Sequence, residues 1–208
     1  MGYVIIGNSA AAIGCVEGIR RVDKEGEITL IASEKHHTYS RPLISYLLEG
    51  KTDLERMKYR PDSFYRDMGV DARLGVTVTA LCPRERKVVC ENGEEIPYDK
   101  LLVATGSAPF VPEIPGLERV EGKFTFLSLA DAQALEAALT PESRVFILGA
   151  GLIGLKCAEG IAGRVKSVEI ADLAPQIRPS ILDERAARRV QNHLERQGLR
   201  FHLGDTAA

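Results

Sequence analysis

"VFILGAGLIGLKCAEG" (145–160) sets Gly149, Gly151 and Gly154 directly after a short apolar run and at the head of a helical pattern. A G-x-G-x-x-G turn between a strand and a helix brings the backbone N–H groups of the helix start close to a pyrophosphate. Ile153 lies within the same turn, and "SVEIAD" (167–172) supplies the next strand. That strand ends in Asp172, 23 positions after Gly149, near the ~20 at which an acidic residue meets a ribose. Strand, turn, helix and strand make a βαβ unit suited to a nucleotide. A carboxylate there accepts the ribose hydroxyls of NADH and repels the 2′-phosphate of NADPH. The nearest downstream base, Arg178, is six residues away, so NADH is the expected ligand. The competing reading of Asp172 is a solvated strand end with no ligand.

The same plan occurs near the N-terminus in looser form, as "VIIGNSAAAIG" (4–14). Gly7 is kept, while Ser9 and Ala12 stand where the other two glycines belong. Both are small enough for close approach, and the Ser9 hydroxyl can donate to a phosphate. Asn8, Ala10 and Ala11 complete this candidate phosphate turn. The following helix is expected to pack through Ala11, Cys15, Val16, Ile19 and Val22. "EITLIASE" (27–34) is a second strand with Glu34 at its end and Lys35 next, on the side expected to face a ribose. Taken alone, this stretch fits an ordinary α/β crossover as well as it fits a nucleotide site.

With 208 residues the chain holds one large domain or two small ones. A net charge of −2 gives no footprint for nucleic acid or an anionic membrane surface. No apolar run reaches the ~18 residues of a membrane span, and no basic stretch precedes the first apolar segment. A cytoplasmic protein is expected. Cys15, Cys82, Cys90 and Cys157 form no C-x-x-C pair, so they read as structural thiols with no metal. His36 and His37 read as a solvated pair or as neighbours of an adenosine.

Between the two turns, residues 75–106 alternate in short strands with an Asn92-Gly93 turn, which predicts a β-meander leading into "KLLVATG" (100–106). "SAPFVPEIPG" (107–116) is proline-rich and extended. Ser128 and Asp131 have capping-box spacing and open a helix. Residues 179–198 predict an amphipathic helix buried through Leu182, Ala186, Val190 and Leu194, and "LRFHLGD" a further strand. The fold class is therefore α/β, with two Rossmann-like units built on parallel sheets, the first carrying the meander.

Four stretches, "VIIGNSAAAI", "YSRPLISYLL" (39–48), "YDKLLVATGSAPFVPEIPG" (98–116) and "VFILGAGLIGLKCAE", resemble the pyridine nucleotide-disulphide oxidoreductase superfamily in content, order and spacing. "SRPLIS" is similar to the branch of NADH–rubredoxin reductases, ferredoxin reductases and the flavin part of NADH-dependent nitrite reductase. The resemblance implies FAD on the first turn and NADH on the second, with residues 1–116 the first part of an FAD-binding domain and 117–208 an incomplete NAD(P)H-binding domain. It implies that Arg41 and Pro42 approach the flavin and that Ser45 starts a helix. Ala104, Thr105 and Gly106 would complete the FAD crevice, and the Val78 backbone would meet the adenine. Arg41 as a surface charge and Pro42 as a first-turn proline stand as alternatives.

The implied activity is hydride transfer from NADH to FAD, with electrons passed to a small redox protein or a linked electron-accepting domain. A dioxygen-using NADH oxidase and a flavin subunit without turnover are the competing functions. Lys156 stands where many superfamily members carry an acid, and it reads equally as a group near the cofactors or as a surface residue. Because family members continue past this stretch, the 208-residue chain alone is expected to hold FAD weakly and to self-associate.

Overall fold

The computed structural model describes residues 1–205, which form two compact units. In chain order the elements begin β1 (Gly2–Ile6), α1 (Ala10–Val22) and β2 (Glu27–Ala32). A 3-10 turn at Arg41–Leu43 leads to α2 (Ile44–Leu48), α3 (Leu54–Met57), α4 (Phe64–Asp67) and β3 (Val70–Leu74). Then come β4 (Val78–Cys82), β5 (Lys87–Cys90), β6 (Glu95–Pro97) and β7 (Lys100–Val103). The remaining elements are α5 (Leu129–Ala138), β8 (Arg144–Leu148), α6 (Leu152–Ile161), β9 (Ser167–Asp172), α7 (Glu184–Arg196) and β10 (Leu199–Leu203).

The first unit comprises Met1–Ser40 and Glu55–Ser107. Its parallel sheet has the order β3-β2-β1-β7, and β4-β5-β6 form the antiparallel meander. Gly93 turns the β5–β6 hairpin at φ +83°, the conformation that makes Asn-Gly a hairpin signal. Strand period 2 divides the core into two layers. Ile5, Ile28 and Leu30 pack with Ala12, Ile13 and Val16 of α1, while Val4, Ile6 and Ile31 pack with Val88, Cys90 and Ile96 of the meander. Both faces are covered, which is why β1 and β2 read as continuous apolar runs.

The second unit has the parallel order β10-β9-β8. Val168 and Ile170 pack with Leu155, Ala158 and Ile161 of α6, and with Ala187 and Leu194 of α7. The other face carries Phe146 and Leu148, which are 52% and 41% exposed. α5 opens with a complete capping box: Asp131 N–H donates to the Ser128 hydroxyl, and the Asp131 carboxylate takes the Ser128 N–H.

Two expected helix faces hold in part. On α1, Ala12, Ile13 and Val16 are buried, whereas Ala11 is exposed and Val22 is 87% exposed. Cys15 and Ile19 pack half-buried against the same core, so the expected stripe holds at Cys15, Val16 and Ile19 and fails at its two ends. On α7 the buried residues are Ala187 and Leu194, while Val190 is exposed. Asp183 caps that helix by accepting from Ala186 N–H, so Leu182 precedes it.

The units also do not follow one cut near residue 116. Arg41–Leu54 groups with the chain from Ala108 onward. α2 lies against α6 because Gly160 has no side chain: a Cβ there would meet the Leu48 Cβ at 3.1 Å and the Ser45 carbonyl oxygen at 3.2 Å. Arg164 Nη1 donates to the Leu48 carbonyl at 2.8 Å and closes the seam. Gly160→Val should therefore cost about 1–3 kcal/mol by overpacking. Gly163→Val, where nothing lies within 4 Å, should cost far less in the same denaturant titration.

Candidate functional site

Each parallel sheet carries one turn of the same construction. Gly7 N–H donates to the Ile31 carbonyl at 2.8 Å, and Gly149 N–H donates to the Ala171 carbonyl at 2.7 Å. Both glycines have positive φ, +127° and +111°. These bonds pull the turn across the end of the neighbouring strand, and the following helix starts three residues later. Backbone crowding enforces small residues unequally. A Cβ on Gly7 would sit 2.2 Å from the Ala104 carbonyl oxygen, and one on Gly154 would sit 2.1 Å from the Gly149 carbonyl oxygen. Ala12, at the position matching Gly154, carries its methyl fully buried among Ile5, Ile13 and Leu30. The first turn is thus looser by one methyl because its helix stands off far enough to pack it.

The starts of α1 and α6 differ from those of the other two helices of ten residues or more. α5 and α7 begin under side-chain caps and have acids in their first turns. α1 begins at Ser9, whose side chain makes no cap bond, and α6 begins at Gly151; neither has an acid in its first turn. The first N–H groups of a helix need acceptors, and the positive end of the helix dipole favours an anion. Ala10 and Ala11 at one helix start, and Gly151, Leu152 and Ile153 at the other, are exposed. Each end fits a dinucleotide pyrophosphate: an exposed helix start, no acid in the first helical turn, and no bulky side chain over the backbone.

The acidic residues do not occupy matching places. In register, Ile31 corresponds to Ala171, so Ala32 matches Asp172 and Glu34 falls two residues later. Asp172 ends β9, and its carboxylate accepts from Ala150 N–H at 2.7 Å and from Ala174 N–H at 2.8 Å. Glu34 lies beyond β2 and accepts from the Tyr39 hydroxyl at 2.6 Å, with exposed Lys35 beside it.

Asn8, which matches Ala150, holds the first turn by its own side chain. Its Nδ2 donates to the His36 carbonyl at 3.2 Å, and its Oδ1 accepts from the Tyr65 hydroxyl at 2.8 Å. Tyr65 in turn accepts from Thr38 N–H. Burial pushes the Tyr65 phenol up, so it stays a proton donor to Asn8. His37 packs on the Tyr65 ring at 4.7 Å and is not a solvated loop residue. Tyr65 escaped the sequence reading because 57 positions separate it from Asn8 and no local pattern marks it.

Ala104 N–H donates to the Ile6 carbonyl, so Ala104, Thr105 and Gly106 leave β7 beside Gly7, with Gly106 at φ +73°. Val78 begins β4 opposite Cys90, next to a register shift before Ala80. Arg41 and Pro42 belong to the second unit, where Arg41 Nη1 donates to the Leu127 carbonyl at 3.1 Å. Lys156 is paired with Glu159 at 2.7 Å and lies 5.4 Å from the Tyr46 ring; the Glu159 carboxylate raises its pKa. Burial pushes the Cys157 thiol up to about 12 and also raises Cys15 and Cys90.

The sequence matches the family described as pyridine nucleotide-disulphide oxidoreductase over residues 1–208. The chain belongs to this family. Its members bind FAD and NADH. A nitrite reductase [NAD(P)H] of Bacillus subtilis is 33% identical over 96% of this chain, which spans 25% of that protein. An NADH oxidase of Methanocaldococcus jannaschii is 32% identical over 98% of the chain, which spans 47% of it. The fold superposes on the reductase of a covalent putidaredoxin reductase–putidaredoxin complex with a TM-score of 0.88, at 23% identity, over 100% of this chain and 50% of that one. The family chain thus covers half or less of these relatives. No helix among the described residues is long and apolar enough to cross a membrane.

Gly151 and Gly154 separate two demands on the second turn. Gly151 has φ −74° and nothing within 4 Å of a built Cβ. Gly151→Ala should leave unfolding stability within ~0.5 kcal/mol and weaken dinucleotide binding, whereas Gly154→Ala should destabilise by about 1–3 kcal/mol. Alkylation at pH 8 checks the thiols. Cys157, protonated at that pH, should react only after unfolding.

Proposed function

We propose that the first turn binds FAD and the second NADH, in an oxidoreductase that passes reducing equivalents from NADH through flavin to a separate acceptor. The observation carrying this reading is the pair of uncapped, acid-free helix starts, α1 and α6, each behind a glycine turn. Gly7, Asn8, Ser9, Ala10 and Ala11 would hold the FAD pyrophosphate, with Glu34 and Lys35 on the ribose side. Ala104, Thr105 and Gly106 would border the flavin, Val78 the adenine, and Arg41 and Pro42 would approach from their 3-10 turn. Gly149, Gly151, Ile153 and Gly154 would take the NADH pyrophosphate, and Asp172 the adenosine ribose. When bound, the two cofactors supply the hydride and electron transfer, for which no side-chain nucleophile is needed.

The residues' own work is binding and orientation. Helix N–H groups neutralise phosphate charge, and Asp172 favours a diol over a 2′-phosphate. The high thiol pKa of Cys157, and the raised values of Cys15 and Cys90, support a route without a reactive thiolate. The acceptor is a small redox protein or a linked domain, in keeping with the reductase–putidaredoxin complex that shares this fold. Transfer to dioxygen is the second reading, favoured by the 32% identity to an NADH oxidase.

With FAD supplied, the protein should show a flavin spectrum that NADH bleaches without oxygen, and NADH should bind at least about tenfold more tightly than NADPH. Reoxidation rates with rubredoxin, ferredoxin and air then separate the acceptors. Tighter binding of NADPH, or a flavin that NADH leaves oxidised, would sink the reading.

A further inference from the structure

Asp172 does something in this chain that its ribose role does not require. Its two carboxylate oxygens each take one backbone N–H: Oδ2 that of Ala150, inside the glycine turn, and Oδ1 that of Ala174, two residues on. Ala150 is fully buried. The corner holding Asp172 is itself tied down, because Gly204 N–H donates to the Ala174 carbonyl at 2.9 Å and Asp205 N–H to the Asp172 carbonyl at 3.2 Å. The carboxylate therefore joins the turn between β8 and α6 to a corner anchored on the end of β10. A carboxylate has about four acceptor positions, so two bonds to the backbone leave room for a ligand diol.

The first turn shows that a nucleotide turn can be held otherwise. There the residue matching Asp172 is Ala32, which has no acceptor in its side chain. Asn8 reaches outward to His36 and Tyr65 instead, and the acid Glu34 accepts from the Tyr39 hydroxyl. Holding the turn and facing the ribose fall to different residues in the first unit. In the second they fall to one.

We propose that Asp172 is a positioning residue for the second phosphate turn, acting through the Ala150 N–H, apart from any contact with ribose. The proposal rests on the second turn being a nucleotide site. It predicts that losing the carboxylate weakens even a nucleotide with no ribose hydroxyls. Removing a negative charge near a diphosphate by itself strengthens binding, so a fall in affinity has to come through the turn.

The test uses the flavin-loaded protein and 2′,3′-dideoxyadenosine diphosphate, with calorimetry for affinity and amide hydrogen exchange at Ala150. Asp172→Ala should lower affinity for this probe about tenfold, the worth of one charge-assisted hydrogen bond, and should speed exchange at Ala150. Asp172→Asn keeps one acceptor oxygen and should move both readouts the same way by less; it carries the test if the alanine variant does not fold. Glu142→Gln, at an exposed acid paired only at the surface with Lys166, should change neither. Unchanged or tighter binding of the probe by a folded Asp172 variant overturns the proposal, whatever happens to NADH. If the unmodified protein binds neither the probe nor NADH, the cofactor assignment fails. Exchange at Ala150 then decides the hold on the turn, and equal protection in Asp172→Asn and the unmodified protein overturns it.

Discussion

A single backbone hydrogen bond governs each half of this fold: Gly7 to the Ile31 carbonyl in one unit, Gly149 to the Ala171 carbonyl in the other. Making it requires positive φ at the glycine, 127° and 111°, which β-carbon sterics deny to most residues. Once made, it turns the chain sharply off the strand and sets where the next helix begins. The helix start then faces outward, with no side-chain cap bond at Ser9 or Gly151 among the described residues. On the other two helices of ten residues or more the start is capped, by Ser128 and Asp131 on α5 and by Asp183 on α7. Leaving α1 and α6 without caps forgoes roughly 1 kcal/mol each, a cost an anionic ligand offsets on binding.

The two units realise one plan with different second contacts. Crowding is greatest at Gly154, where even a methyl would strike the carbonyl of Gly149, and it is relaxed at Ala12, whose methyl joins the core. The strict and the loose versions of the glycine pattern thus report how close each helix comes to its own turn. They do not by themselves report which nucleotide is bound. Likewise the acids Glu34 and Asp172 look equivalent along the chain, yet their registers differ by two residues and their partners differ entirely.

Helix packing in the second unit draws on the first half of the chain. α2 is five residues long and gains its place by tertiary contact, since so short a helix has little stability alone. Leu48 enters the core built by α6, α7 and β9, and the bare surface at Gly160 allows the approach. The segment carrying Arg41 and Pro42 is consequently fixed by the unit that holds the second turn.

Local chemistry determined much of this protein before any contact was known. Short apolar runs marked the parallel strands, alternation the meander, Asn92-Gly93 the hairpin, Ser128 with Asp131 the capped helix, and the spacing of small residues both glycine turns. Those signals are short-range, because turn type, capping and alternation are decided within a few residues. The exposure of Ala11 and Val22 on α1, the burial of Ala187 and not Val190 on α7, the home of α2, and the link from Asn8 to Tyr65 were decided only in three dimensions. Each depends on a partner tens of residues away, where the sequence carries no periodic mark. The double bond of Asp172 to Ala150 and Ala174 belongs with them. Composition and spacing put a carboxylate at the end of the strand, and only the closed turn shows that its oxygens take two backbone N–H groups.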